Sequence, residues 1–82
     1  RGLRVRARAA LEHVVAALVE HPADVAIEEV EDDDGVVLEL TVHPDDVGKV
    51  IGKRGRTAKA LRTLVRAAGA LDDEDVTVEI ID

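Results

Sequence analysis

The run Val50-Ile51-Gly52-Lys53-Arg54-Gly55 decides how this 82-residue chain is read. Two glycines enclose two cations, with a short helical pattern before them and a longer one after. A turn this tight needs residues free of Cβ crowding, and bare glycine also lets another chain approach the backbone closely. The turn opens onto the start of a helix, where unpaired amides and the dipole favour an anion. Lys53 and Arg54 project from it into solvent, where they can neutralise phosphates without reading sequence. Arg56, Lys59 and Arg62 extend the positive surface along the helix.

Working outward, Pro44 suits the first turn of a helix, and Asp45 and Asp46 complement the positive end of its dipole. Val47, Val50 and Ile51 then form one apolar face, and Gly52 cuts this helix short. Beyond the turn, the spacing predicts a second helix from about Arg56 to Ala68, burying Ala58, Leu61, Leu64, Val65 and Ala68, with Gly69 as its C-terminal stop. Upstream, Leu3, Ala7, Ala10, Leu11, Val14, Ala17 and Leu18 recur at helical intervals, and this helix should end at His21-Pro22. Val25 and Ile27 begin a strand, and the turn Asp32-Asp33-Asp34-Gly35 leads to a second, with Val36, Leu38, Leu40 and Val42 on one face. Val30 falls out of that alternation, which suggests a bulge. Val76, Val78 and Ile80 mark a third strand. The order αββααβ implies a two-layer α+β fold. Its three-stranded mixed sheet carries all helices on one face and leaves Val37, Thr41, Thr77 and Ile81 on the open one.

A chain of this length encloses one core, so residues 1–82 are expected to form a single domain, with the core over about 11–81. Apolar residues make up 46%, yet Phe, Trp, Tyr, Met and Cys are all absent, so Val, Leu, Ile and Ala must build it. The lack of cysteine excludes a disulfide framework and a thiolate zinc site, and it fits a reducing cytoplasm. No apolar run approaches the roughly 18 residues of a membrane span, and the basic start Arg1 to Arg8 is not followed by a signal-type stretch. A chain that opens on Arg1 is expected to have been trimmed or to derive from a longer one.

The net charge of −7 argues against a nucleic-acid partner until its distribution is read. From Ala9 to Asp46 there are twelve acids and no Lys or Arg; from Val47 to Arg66 there are seven bases and no acid. The last sixteen residues are again acidic without a base. Such segregation confines polyanion binding to one region and repels it elsewhere.

The run Val50-Ile51-Gly52-Lys53-Arg54-Gly55 resembles the V-I-G-x-x-G core of KH domains, and αββααβ is the order of their type II, bacterial form. The longer string from Asp46 to Arg62 is similar to the small stand-alone bacterial KH proteins of the KhpA family. That resemblance implies a GxxG loop, here Gly52 to Gly55, clamping the backbone of about four nucleotides of single-stranded RNA. It also implies a groove lined by Val47, Gly48, Ile51, Ala58 and Leu40, with Lys49, Arg56 and Lys59 among the cations beside it. Many KH domains carry a larger aliphatic residue where Ala58 stands; together with the lack of aromatic stacking platforms, this implies weak base discrimination and marked salt dependence. The family further implies pairing, as a homodimer or with a larger KH-containing protein.

The leading reading is thus a non-catalytic RNA-binding protein, acting as an RNA chaperone or in post-transcriptional control. The alternative is a protein-interaction or dimerisation module with a vestigial GxxG loop. A helix-turn-helix DNA reader is a third reading, disfavoured by so short a first helix. No cofactor, metal, membrane or small-molecule substrate is expected. His13, His21 and His43 fall on a helix face, a helix end and a strand end, with no spacing that gathers a third ligand. Asp32 to Asp34 fail the calcium-loop register, and Gly48-Lys49 and Gly52-Lys53 lack the spacing of a P-loop.

Overall fold

The computed structural model describes residues 5–81. Helix α1 spans Val5–Leu18, strands β1 and β2 span Ala26–Asp32 and Gly35–Thr41, helices α2 and α3 span Val47–Ile51 and Arg56–Leu71, and β3 spans Val76–Ile81. Short 3-10 turns at Pro22–Asp24, Pro44–Asp46 and Lys53–Gly55 link them, so the expected αββααβ order holds. The sheet runs β1-β2-β3, with β1 antiparallel and β3 parallel to β2. The parallel pairing requires a crossover, which α2 and α3 supply.

Alternation along the strands divides the two faces. Val36, Leu38 and Leu40 of β2 sit beside Val76, Val78 and Ile80 of β3 and face the helices. Against them pack Ala7, Leu11 and Val15 of α1, Val50 of α2, and Leu61 and Val65 of α3. Burying each such Val or Leu contributes about 1.5–3 kcal/mol, the main source of stability in a core without aromatic rings. The open face carries Val37, Thr41, Thr77 and Ile81, as expected, with a row of glutamates, Glu28, Glu39 and Glu79, across its middle. No helix among the described residues is long and apolar enough to cross a membrane.

Several expectations are corrected. The buried stripe of α1 is Ala7, Leu11 and Val15, while Ala17 and Leu18 are exposed; the run from Val14 to Val19 is apolar almost all round, so spacing alone does not choose the face. Leu3 lies outside the described residues. No bulge forms at Val30: β1 pairs without interruption from Ala26 to Asp32, and Val30 opposes Val37 on the open face. Leu64 is exposed rather than core. Gly69 does not end α3, which continues to Leu71; it is buried in the last turns because a Cβ there would come within 2.8 Å of Val76 Cγ2 and 3.1 Å of the Glu74 carbonyl. The glycine records close helix-strand packing, not a cap.

Candidate nucleic-acid interface

The bend between α2 and α3 is built from unusual backbone. Gly52 adopts φ 78°, ψ 171°, a region essentially closed to other residues, and a Cβ there would overlap Thr57 Oγ1 and lie 2.9 Å from the Thr57 amide nitrogen. Its own amide closes α2 on the Gly48 carbonyl at 2.8 Å, and the Gly55 amide returns to the Gly52 carbonyl at 3.1 Å. Between the glycines Arg54 is left-handed at φ 58°, ψ 27°, at a cost of roughly 1–2 kcal/mol for a side-chain-bearing residue. Gly55 is also left-handed at φ 72°, and among the described residues nothing lies within 4 Å of where its Cβ would stand.

Lys53 and Arg54 are exposed at the apex, followed by exposed Arg56, Lys59 and Arg62 on α3. Gly55 occupies the N-cap position and brings no side-chain acceptor, and the first turn of α3 holds no acid. The Arg56 amide closes on the Lys53 carbonyl, and no side chain caps the head of this 16-residue helix, which has cations on either side. About 24 Å away, at the other end of α3, the chain turns acidic through Asp72, Asp73, Glu74 and Asp75. An acidic cleft of about 230 Å³, lined in part by Asp32, Asp34 and Asp75, lies at that far end and would repel a polyanion.

One buried carboxylate holds α2 in place. Asp46 is 0% exposed; its Oδ1 accepts from the Glu20 amide at 3.1 Å and its Oδ2 from the His21 amide at 3.0 Å, both just beyond α1. Lys49 Nζ donates to Asp46 Oδ1 at 3.4 Å and pairs with Glu20 Oε2 at 3.3 Å. Burial alone would push the Asp46 carboxyl up, but the two backbone amides and the ammonium outweigh it and hold its pKa below the usual carboxylate value. Burial likewise acts to lower the Lys49 pKa, and Glu20 and Asp46 together raise it instead. Asp46 thus does more than complement a helix dipole. The sequence offers no sign of this, since its partners are backbone groups some 25 residues upstream.

The expected site residues divide by exposure. Gly52, Lys53, Arg54, Gly55, Arg56 and Lys59 line the outer side of the bend and the head of α3, and Gly48 is exposed on α2. Val47 and Ile51 are half-buried, and Ala58 keeps only 6% of its surface. Lys49 lies on α2 with its charge already engaged. Leu40 is completely enclosed, which removes it from any groove wall. The histidines are less scattered than their spacing suggested: the fold stacks His21 on His43, whereas His13 stands exposed on α1.

Comparison with known proteins bears on this geometry. The family described as "KhpA/KhpB, KH domain" matches residues 8–80. The chain belongs to that family. It is 54% identical over 72 residues to the RNA-binding protein KhpA of Halalkalibacterium halodurans, covering 88% of this chain and 95% of that one. It is 51% identical to the RNA-binding protein KhpA of Bacillus subtilis over 85% of this chain and 86% of the other. For KhpA of Streptomyces coelicolor the identity is 51% over 89% of each. Among solved structures, a variant of Aquifex aeolicus Era in its GDP-aluminium fluoride complex superposes with a TM-score of 0.61 at 22% identity, covering 95% of this chain and 30% of the longer one. That likeness concerns the fold alone. The α+β architecture with three helices and a mixed three-stranded sheet is accordingly that of a KhpA/KhpB KH domain.

Proposed function

We propose that this KH domain binds single-stranded RNA, gripping its sugar-phosphate backbone at Gly52 to Gly55 and performing no catalysis. The observation that carries the reading is the bend itself: two exposed cations, one of them, Arg54, on left-handed backbone, open space beside Gly55, and a head of α3 that no side chain caps. A phosphate placed there gains backbone donors and charge together. Arg56 and Lys59 continue the track, while Val47, Gly48, Ile51 and the edge of Ala58 offer a shallow aliphatic rest for bases. Relatives covering most of the chain are named RNA-binding proteins, which supports RNA over duplex DNA. Without aromatic stacking, binding is weak, tolerant of sequence and sensitive to salt, as suits a cytoplasmic RNA chaperone or post-transcriptional regulator. The test is Lys53→Asp with Arg54→Asp. Affinity for an unstructured oligoribonucleotide should fall at least about tenfold with the melting temperature near the parent's; unchanged affinity removes the clamp.

A second surface supports pairing with a like domain, either another copy or a larger KH-containing protein. On the outer side of α3, Ala60, Leu64, Ala67 and Leu71 follow helical spacing and are all exposed, Leu71 by 72%. Pairing there leaves the bend free, so it accompanies RNA binding instead of replacing it. Leu64→Glu should convert a dimer to a monomer in light scattering, and a parent chain that is monomeric at high concentration would remove the self-pairing form.

A further inference from the structure

We propose that His21, His43 and Asp45 form a binding site for a divalent transition-metal ion of the zinc class. His21 follows α1, whereas His43 and Asp45 flank Pro44 at the entry to α2. The two imidazoles stack with centroids 3.9 Å apart and planes 18° apart, so their edges run side by side. His21 Nε2 lies 3.8 Å and His43 Nδ1 3.7 Å from the same oxygen, Asp45 Oδ2. One donor atom from each residue falls within 4.8 Å of the other two. An ion held at about 2.1 Å by such donors places them roughly 3.0–3.4 Å apart. The two sides that meet at Asp45 Oδ2 need a contraction of about half an ångström and the third, within 4.8 Å, up to about 1.4 Å, which rotation of side chains with exposures of 41%, 31% and 72% can supply.

The backbone that carries these ligands is already fixed. Asp46, adjacent to Asp45, accepts the amide of His21 itself at 3.0 Å and that of Glu20 at 3.1 Å. The two ligand-bearing segments are therefore tied together before any ion arrives, which lowers the ordering cost of chelation. The Asp45 amide donates to His43 Nδ1 at 3.0 Å, so that nitrogen carries a lone pair and no proton. A metal would take over that lone pair as the His43 ring rotates off the Asp45 amide, leaving that amide to water. Two imidazoles and one carboxylate suit Zn²⁺, Co²⁺ or Ni²⁺ and not Mg²⁺ or Ca²⁺, which prefer all-oxygen shells. The bound ion would brace the exit of α1 against the entry of α2, the helix that ends at Gly52.

The test uses tag-free, chelator-treated protein and Zn²⁺ alone, followed by calorimetric titration and thermal melting. One ion should bind per chain, and free Zn²⁺ at a hundred times its dissociation constant should raise the melting temperature by roughly 10–20 °C. Mg²⁺ at the same concentration should do nothing. His21→Gln leaves the amide bond to Asp46 in place, so the variant should fold as the parent does and bind Zn²⁺ at least about tenfold more weakly. His43→Gln, which also removes the acceptor of the Asp45 amide, should do the same. Absence of Zn²⁺ binding by the parent, or binding by either variant as tight as the parent's, overturns the site.

Discussion

Asp46, wholly enclosed, accepts the backbone amide of His21 at 3.0 Å and so ties the segment after α1 to the head of α2. Because α2 is only five residues long, whatever fixes its start also fixes the bend at its end. The stability of the fold and the placement of the glycine turn thus share one carboxylate.

Asp46→Asn tests this link. The amide side chain keeps one acceptor but turns a donor toward groups that are themselves donors, leaving a buried amide unsatisfied. The melting temperature should drop by on the order of 10 °C at neutral pH, with weaker RNA binding. The native pKa of Asp46 lies below the ordinary value of 3.8, so its contribution is present above that value and is lost as the pH falls through the lower, native one. Melts from pH 3 to 8 should therefore show a constant gap between parent and variant above about pH 5, narrowing below pH 4. A gap that widens in acid would contradict the assignment.

The two glycines of the bend should not be equivalent. Gly52→Ala combines a glycine-only backbone with overlap against Thr57, and should cost about 3 kcal/mol. Gly55→Ala meets open space and carries only the left-handed penalty, about 1 kcal/mol. Urea denaturation ranks them directly. At Gly55 the larger effect should appear in RNA affinity, because the new methyl occupies the space proposed for the phosphate chain.

Cations near the bend should separate by salt dependence. For a single strand, removing one phosphate-bound cation lowers the slope of log affinity against log salt by about 0.7. Lys53→Ala and Arg54→Ala should each remove about that much. Lys49→Ala should leave the slope nearly unchanged and lower thermal stability instead, since Glu20 and Asp46 already occupy its ammonium. An equal slope change for Lys49 would place that side chain on the RNA.

Much of this was legible in the residues. Alternation in β2 and β3 assigned the buried face correctly because one side of that sheet is apolar and the other mixed. The pair Gly52 and Gly55 marked the bend because the conformations adopted there are open to few other residues. Segregated charge located the basic pole, since like charges along one helix face must emerge together. What the spacing misassigned were positions with two physically acceptable fates: Leu64 and Leu18 fit a helix stripe but face outward, and Gly69 fits a cap but serves close packing against Val76.

The sequence by itself determined the order of elements, the apolar sides of β2 and β3 and the glycine bend, because each depends on neighbours a few residues apart. Only the tertiary structure decided which stripe of α1 is buried, that Asp46 reaches back to His21, that Lys49 is already paired, and that His21 stacks on His43 beside Asp45. Those relationships join residues 20 or more positions apart, and no local periodicity encodes them. They arise when α1 and the sheet close over one core and bring the two chain segments side by side.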